Sequence, residues 1–482
     1  MEIIKLEKVN EVYNKVICEP GVGYEIKDYF TFKVPNYQFM PAYKNKLWDG
    51  NIYLFNPMNC LLYGGLTEQL EIFCKSRDYK LELLSDFSSD NMSVKETLDF
   101  VKSLNLPFQP REYQLEAFVR CVRSRRKMLL SPTGSGKSLI IYLLSRFYNL
   151  RTLIIVPTTS LIHQMASDFL SYGYSDPDNI HKIYQGQDKN LKSQFVISTW
   201  QSIFKQSKDW FNQFDVVIGD EAHLFKAKSL TSIMTKLETC KYRFGFTGTL
   251  DGSETHQLVL EGLFGPVKKI ITTSELIEQK HLSNFMIKCI SLQYPDDIKK
   301  ECSKYSFQQE MDFLVSNQER NKFITNLSLS LKGNTLLLFQ YVDKHGKVLY
   351  DMISNEHSDK DIYFVHGGID GNEREKIRNI VEKNNNSIII ASYGTFSTGI
   401  NIKNLHNIIF SSPSKSKVRN LQSIGRGLRL SDNKEQAVLY DISDDLSWKQ
   451  RKNFTLLHYI ERVKIYNEEQ FEYKTYKINI NT

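Results

Sequence analysis

Disulfide, zinc-binding and membrane-spanning patterns are missing from this sequence. The seven cysteines are scattered over 482 residues and never stand in a C-x-x-C spacing, which argues against a disulfide or zinc framework. No run of about 18 apolar residues occurs, and residues 1–5 do not open a signal peptide. We therefore expect a cytoplasmic protein that works without a membrane.

The sequence also has no large excess of positive or negative charge. The net charge is only +7, and residues 1–105 hold twelve Lys and Arg against fifteen Asp and Glu. The excess positive charge therefore lies after residue 105, where it is compatible with a polyanionic partner. At this length, with 41% hydrophobic residues, we expect roughly three domains with proper cores.

One short stretch carries the clearest chemical signal, Ser-Pro-Thr-Gly-Ser-Gly-Lys-Ser at residues 131–138. It lies between an apolar run, residues 128–130, and a helix-like stretch, residues 139–148, which is the setting of a phosphate-binding loop. Its glycines let backbone N–H groups face anionic oxygens, its lysine can reach the β- and γ-phosphates of ATP, and its last serine can ligate Mg²⁺. Ser131 stands where the motif usually has glycine. The predicted nucleotide contacts are Thr133, Gly134, Ser135, Gly136, Lys137 and Ser138.

A pair of carboxylates follows an apolar run further along. The sequence Asp-Glu-Ala-His at residues 220–223 comes just after residues 216–218. A carboxylate at the end of a buried strand can hold Mg²⁺ opposite Ser138, and its neighbour can orient and deprotonate a water. We predict these roles for Asp220 and Glu221, with two strands between this segment and the phosphate loop. Such a segment alone is commonly a solvated acidic turn, but the phosphate loop in the same unit favours catalysis.

Polar residues near other helix and strand ends are candidates for contacting the nucleotide or a nucleic acid. Gln114 opens a helical run, and a glutamine amide can pair with the edge of adenine. Thr158 and Thr199 follow apolar runs, where hydroxyl and backbone groups can donate hydrogen bonds to nucleic-acid phosphates. An ordinary helix start and ordinary strand-to-helix turns are the alternatives.

The first 105 residues predict a small α+β module without a phosphate loop. Residues 29–34 are typical of a strand, and residues 66–77 have helical spacing. Lys44, Lys46 and Trp48 are candidates for binding nucleic acid by charge and stacking. The alternative is that the tryptophan packs at the edge of a core and the lysines are solvated.

After residue 105, apolar β-rich runs alternate with helical stretches, which indicates an α/β fold. The runs are nearly continuous, as expected for strands buried on both faces of a parallel sheet. The predicted strands lie at residues 152–156, 195–198, 215–218, 243–246, 335–339, 362–365, 387–391, 407–410 and 437–440, with a final helix at 448–466. They form two consecutive units of similar size, and only the first has a phosphate loop.

The second unit contributes a basic helical face. Arg426 and Arg429 are three residues apart within residues 422–429, and no acidic residue lies between Lys415 and Arg429. A solvated basic face is the usual interpretation of such a pattern. Together with the phosphate loop on the first unit, the pair instead predicts a nucleotide clamped at a domain interface.

This set of motifs resembles superfamily 2 helicases of the DEAH type. The matching segments are the adenine-sensing Gln114, motif I at 131–138, Ia at 156–159, II at 220–223, III at 247–249, V at 392–401 and VI at 422–429. Within the superfamily the chain looks most like the recombination helicases of tailed phages. The features that carry this likeness are residues 46–50 (Lys-Leu-Trp-Asp-Gly), Trp200-Gln201, Trp210-Phe211 and residues 391–399.

The resemblance implies a fold and an activity. The fold is two tandem RecA-like domains with parallel sheets, residues 106–282 and 283–482, after a small α+β DNA-binding domain, residues 1–105. The activity is that of an ATP-dependent DNA helicase acting on branched or single-stranded DNA, through branch migration, fork regression and dissociation of RNA–DNA hybrids.

The resemblance also implies site residues and partners. ATP and Mg²⁺ are the expected cofactors, Gln422 joins the nucleotide site, and Thr398 joins Thr158 and Thr199 on the nucleic-acid backbone. We expect a monomeric motor, located in the host cytoplasm if a phage encodes it. An RNA helicase of the same fold, a nuclease motor subunit, and a nucleic-acid-binding module with a silent nucleotide site remain as alternatives. The sequence shows no appended nuclease motif in support of the second.

Overall fold

The computed structural model divides the chain into two compact units. The first contains Met1–Ser131 and Gly136–Ile270, and the second contains Pro132–Ser135 and Ile271–Thr482. The residues that the structure describes are 2–35, 37–87, 92–224, 227–250, 254–356, 359–395, 402–412, 416, 423–425, 428, 434 and 436–480.

A small mixed sheet with helices opens the first unit. Its strands are β1 (Ile3–Lys8), β2 (Tyr13–Ile17), β3 (Thr31–Lys33), β4 (Asn51–Tyr53), β5 (Phe55–Asn56), β6 (Leu61–Tyr63) and β7 (Lys80–Leu83), and its helices are α1 (Pro20–Tyr29), α2 (Pro41–Lys44) and α3 (Thr67–Ser76). Five strands pair in the order β5-β6-β2-β1-β7, while β3 and β4 form a separate antiparallel ribbon. Ile4 and Leu6 are buried and Lys5 is exposed, which is the alternation of a strand with one covered face.

A seven-stranded parallel sheet follows in the same unit. Its strands are β8 (Arg126–Leu130), β9 (Thr152–Val156), β10 (Ile180–Ile183), β11 (Phe195–Thr199), β12 (Val216–Gly219), β13 (Tyr242–Thr247) and β14 (Val267–Lys269). They lie in the order β10-β11-β9-β12-β13-β8-β14. Every residue of β9, β11 and β12 is buried, because helices cover both faces of the sheet.

The helices of this unit place its loops at one edge of the sheet. They are α4 (Val94–Ser103), α5 (Glu112–Val122), α6 (Lys137–Tyr148), α7 (Thr159–Ser171), α8 (Trp200–Ile203), α9 (Lys208–Phe211), α10 (Ala227–Met234) and α11 (Glu254–Phe264). Since all strands run in one direction, the loops that follow β8 and β12 leave from the same edge, with only β13 between them.

The second unit repeats the parallel α/β plan. Its strands are β15 (Asn284–Gln293), β16 (Thr335–Phe339), β17 (Asp361–Val365), β18 (Ser387–Ser392), β19 (Asn407–Phe410), β20 (Gln436–Asp445) and β21 (Tyr473–Asn479), in the order β17-β18-β16-β19-β20-β15-β21. Its helices are α12 (Thr273–Glu278), α13 (Asp296–Cys302), α14 (Phe307–Ser316), α15 (Gln318–Ser330), α16 (Lys347–Asn355), α17 (Gly371–Lys383) and α18 (Phe454–Glu468). Among the residues described, no helix has the length and apolar character needed to cross a membrane.

The predicted fold class is confirmed: two parallel α/β units follow a small α+β module. Three details are wrong. The strands β14 and β15 have no counterpart among the predicted ones, because β14 has only three residues and polar residues interrupt the apolar positions of β15. Three strands, not two, intervene between β8 and β12, because the edge strand β10 carries exposed or half-exposed polar residues and lacks a continuous apolar run. The final helix begins at Phe454 rather than at residue 448, because Trp448 and Arg451 exchange backbone hydrogen bonds in a turn.

The N-terminal module packs directly against the first parallel sheet. The Arg126 guanidinium, at the start of β8, donates a hydrogen bond to Glu11 O at 2.6 Å and lies 3.4 Å from Glu11 Oε2. The Glu11 N–H in turn donates to Glu238 O at 2.9 Å. At Gly65 any Cβ would collide with the carbonyl oxygen of Glu261 in α11. The module therefore shares a close-packed interface with the sheet that carries the phosphate loop.

Replacing Arg126 with alanine is expected to lower the free energy of unfolding by about 1.5–3 kcal/mol, the range for hydrogen bonds that involve a charged group. Only 18% of the Arg126 side chain is exposed, so water cannot fully replace its partners. A urea titration followed by circular dichroism measures the change. The exposed Arg123, three residues earlier, provides the matched control, Arg123→Ala. Equal stability of the two variants would contradict the assignment.

Candidate nucleotide-binding site

The loop after β8 has the backbone geometry of a phosphate cradle. Gly134 and Gly136 have φ angles of +86° and +78°, a region that disfavours other residues. The Ser131 N–H donates to Thr247 O at 2.9 Å, which ties the start of the loop to the end of β13. Ser135 Oγ donates to Pro132 O at 2.7 Å and closes the turn. Helix α6 then begins at Lys137, so its positive end follows the cradle.

Lys137 lies between the loop and the acidic segment. Its Nζ donates to Ser131 O at 3.3 Å and lies 3.3 Å from Glu221 Oε1. Only 10% of the lysine side chain and 19% of the glutamate side chain are exposed. The ammonium group is thus shielded from water and held by groups that a phosphate can displace.

The two adjacent carboxyl groups have opposite pKa shifts. Asp220 follows β12, and its N–H donates to Ile155 O at 2.9 Å. Burial, and then the charge of Glu221, raise the pKa of Asp220 to about 7. Burial alone would also raise the pKa of Glu221, but Lys137 and His223 together lower it below its usual value. Glu221 also has a φ of +48°, an uncommon conformation for a residue other than glycine and one that often marks functional sites. Glu221 therefore supplies an ionised carboxylate, and Asp220 supplies a carboxyl whose ionised form a nearby cation would stabilise.

A histidine links this segment to the neighbouring strand. His223 Nδ1 lies 3.5 Å from Glu221 Oε2 and 2.5 Å from Thr247 Oγ1, and the Thr247 hydroxyl donates to Thr249 O at 2.8 Å. These contacts join the ends of β12 and β13. They couple the predicted base to the segment 247–249.

Gln114 lies at the loop, as expected for a nucleotide contact. Its Nε2 donates to Gly136 O at 3.4 Å, and its Oε1 accepts the Arg111 N–H at 2.9 Å. The side chain is 5% exposed. Gln114 therefore fixes the start of α5 against the phosphate loop.

Sequence reasoning missed Tyr172 as a neighbour of the site. Its hydroxyl shares a hydrogen bond of 2.7 Å with Ser138 Oγ. The Tyr172 ring makes edge contacts with Phe108 and Tyr142, each at a centroid distance of 5.5 Å. Burial raises the pKa of Tyr172 to about 12, so the phenol stays protonated. No local pattern marks this residue, since it lies 34 positions from its partner.

The predicted nucleic-acid contacts that the structure describes lie just after β9, at the end of β11 or in the N-terminal module. Thr158 caps α7 by accepting the Leu161 N–H, and Thr199 is 6% exposed with its hydroxyl bonded to Ser202 Oγ at 2.9 Å. In the N-terminal module Lys44 and Lys46 are exposed and Trp48 is half-buried.

Part of the predicted site lies outside the described residues. These residues are Thr398, Gln422, Arg426 and Arg429. Of motif VI the structure describes residues 423–425, which are helical, and Leu428, whose N–H donates to Ile424 O at 3.1 Å.

Three family models match consecutive parts of the chain. They are described as "DNA helicase UvsW, N-terminal" over residues 4–84, "Type III restriction enzyme, res subunit" over residues 107–252, and "Helicase conserved C-terminal domain" over residues 319–431.

Known proteins match over greater lengths. The ATP-dependent DNA helicase uvsW of Enterobacteria phage T4 is 35% identical over 493 aligned residues, covering 97% of each chain. A putative ATP-dependent RNA helicase, L396 of Acanthamoeba polyphaga mimivirus, is 26% identical over 71% of this chain and 65% of its own. The crystal structure of T4 UvsW superposes with a TM-score of 0.52 at 33% identity, covering 99% of this chain and all of the other. This protein therefore belongs to the UvsW family of superfamily 2 helicases.

Proposed function

We propose that this chain is an ATP-dependent DNA helicase that remodels branched DNA by branch migration, fork regression and dissociation of RNA–DNA hybrids. The observation that carries the proposal is the Lys137–Glu221 pair beside Asp220 at the carboxyl edge of a parallel sheet. A relative that matches over 97% of both chains is named an ATP-dependent DNA helicase.

The residues present fit a magnesium ion. The buried Asp220 carboxyl has a pKa raised to about 7, and a neighbouring cation would stabilise its ionised form. Asp220 and the hydroxyl of Ser138 would hold Mg²⁺, which prefers oxygen ligands. When bound there, Mg²⁺ would neutralise part of the phosphate charge of ATP. Tyr172 would orient the Ser138 hydroxyl for this role.

Lys137 and Glu221 would exchange partners when ATP binds. The lysine would turn from the glutamate to the β- and γ-phosphates. Glu221 would then lose the effect of Lys137, the larger of the two charges that lower its pKa, which makes its carboxylate a stronger base. The freed carboxylate would orient a water and accept its proton as the water oxygen bonds to the γ-phosphorus, while the bond from that phosphorus to the β–γ bridging oxygen breaks and ADP leaves with that oxygen.

Other roles rest on the sequence motifs. Arg426 and Arg429 would supply positive charge to the transition state, and Gln114 with Gln422 would contact the nucleotide. Single-stranded DNA would be held through its backbone by groups that include Thr158, Thr199 and Thr398. Lys44, Lys46 and Trp48 would add contacts from the N-terminal module. We place this monomeric motor in the cytoplasm, that of the bacterial host for a phage-encoded chain.

Purified protein tests the proposal directly. ATP hydrolysis is measured alone, with single-stranded DNA and with single-stranded RNA, and strand exchange is followed on a four-way junction and a linear duplex. We expect stimulation by DNA and ATP-dependent movement of the junction. Stimulation by RNA alone would favour an RNA helicase. Absence of hydrolysis under all conditions would favour a silent nucleotide site.

A further inference from the structure

An exposed apolar tip projects from the N-terminal module. We call residues 39–48 the Leu47 loop. Leu47 is 81% exposed and Phe39 is 67% exposed, and Met40 is 38% exposed. Isolated apolar residues on a surface need no explanation, but here three exposed ones lie within ten positions of one loop. The loop leads from the β3 side of the small ribbon to β4, outside the five-stranded sheet.

The Leu47 loop is held in a fixed shape. The Leu47 N–H donates to Ala42 O at 2.9 Å, which brings the leucine back to the start of α2, two residues after Met40. The Trp48 indole N–H donates to Asn51 O at 2.7 Å. Gly50 has a φ of +86°, and any Cβ there would collide with the Tyr37 ring. These contacts fix the backbone of the loop on both sides of Leu47, whose side chain is exposed.

The segment that contains the tip has more lysines than acidic residues, although the module as a whole is acidic. Residues 29–67 contain three lysines, Lys33, Lys44 and Lys46, and one acidic residue, Asp49. Asp49 accepts hydrogen bonds from Asn51 and Tyr53, which lower its pKa. Lys44 and Lys46 form no ion pair with any residue the structure describes. Their charges are therefore available to phosphates.

A rigid apolar tip between free lysines matches the chemistry of a DNA branch point. Leucine, phenylalanine and methionine side chains can insert between base steps and unstack them, while flanking lysines bind the backbone. At a branch point a base pair has lost one stacking neighbour. In a linear duplex every base pair except the two at the ends is stacked on both sides. Unstacking a base step costs a few kcal/mol, so a protein wedge acts where one stacking partner is already lost.

We propose that the Leu47 loop is a wedge that inserts Leu47 and Phe39 against the terminal base pair at a DNA branch point. Lys44 and Lys46 hold the adjoining phosphates, and Trp48 anchors the loop through the hydrogen bond from its indole N–H to Asn51 O. This inference rests on the proposed DNA helicase activity and adds to it the element that selects branched substrates.

The experiment uses the full chain and a four-way junction with 2-aminopurine at the branch. Without ATP, wild-type protein should increase the fluorescence of the probe at the branch, and not in the middle of a linear duplex. The double variant Phe39→Ala with Leu47→Ala should lose this increase and move junctions about tenfold more slowly. Its ATP hydrolysis with single-stranded DNA should stay within about twofold of wild type, as for surface substitutions. Met58→Ala is the matched control, because Met58 is an 88% exposed apolar residue of the same module outside the loop.

The lysines give an independent readout. Lys44→Ala with Lys46→Ala should weaken junction binding and reduce the slope of log affinity against log salt by about 1–2, one unit or less for each lost phosphate contact. The apolar variant should leave this slope unchanged.

The results test the wedge proposal and the helicase proposal separately. If the apolar variant matches Met58→Ala in fluorescence and junction movement, the wedge is wrong. If wild type moves junctions without any fluorescence increase, the wedge is also wrong. A fluorescence increase that depends on Leu47, in a protein that hydrolyses no ATP, would support the wedge and refute the helicase proposal.

Discussion

Lys137→Ala is expected to reduce DNA-stimulated ATP hydrolysis by about 10³-fold, the upper range for loss of one preorganised donor at a developing charge. The lysine is the predicted contact of the β- and γ-phosphates, and its Nζ lies 3.3 Å from both Ser131 O and Glu221 Oε1. Removing it leaves the backbone cradle and Asp220 in place. Steady-state phosphate release with saturating single-stranded DNA measures the loss.

The same substitution should change the ionisation of Glu221. Burial raises the pKa of this carboxyl and Lys137 lowers it, so the alanine variant should have a higher pKa at Glu221. The control is Lys182→Ala, an exposed lysine on the edge strand β10 of the same sheet. Hydrolysis at the control rate by a folded Lys137→Ala protein would refute the nucleotide site.

Glu221→Gln is expected to slow hydrolysis by about 10²–10⁴-fold while ATP binding is retained, as for loss of a general base. The amide can hold a water but cannot accept its proton. It also cannot pair as an anion with Lys137, which leaves the ammonium more available to phosphates. Equilibrium binding of a fluorescent ATP analogue and single-turnover hydrolysis separate the two effects.

A conservative surface change controls for this variant. Glu116→Gln alters an exposed glutamate of α5 whose side chain pairs with Arg120, also on the surface. It should hydrolyse ATP at the wild-type rate. If Glu221→Gln loses affinity for ATP but turns over the bound fraction normally, Glu221 is a structural residue and another group activates the water.

The structure also changes how the N-terminal module should be tested. The sequence suggests deletion of residues 1–105 as the simplest experiment. That deletion would remove Glu11, the partner of Arg126, and would uncover the surface of α11 at Gly262, which faces Tyr63. A truncated motor would therefore combine loss of DNA contacts with damage to the phosphate-loop sheet. Substitutions on the exposed Leu47 loop avoid this ambiguity.

The fully buried strands and the phosphate-loop segment could be predicted from the sequence because their information is local. β9, β11, β12 and β16 are buried along their whole length, so each is a contiguous apolar run. Likewise, the loop at 131–138 carries its glycines, lysine and serine within eight positions. The edge strands β10 and β14 were missed, since they are short and half-exposed. The strand β15 was also missed, although most of its residues are buried, because polar residues interrupt its apolar positions.

What only the tertiary structure decided depends on contacts between distant residues. Tyr172 is hydrogen-bonded to Ser138, 34 positions away, and Arg126 to Glu11, 115 positions away. No periodicity in the sequence predicts either pair. The 81% exposure of the Leu47 side chain is likewise a property of the folded loop. The sequence by itself determined the chemistry of the phosphate loop and the order of the motifs. The tertiary structure decided which side chains surround the phosphate loop and which apolar residues stay exposed. Both depend on residues that are distant in the sequence, so local sequence patterns do not specify them.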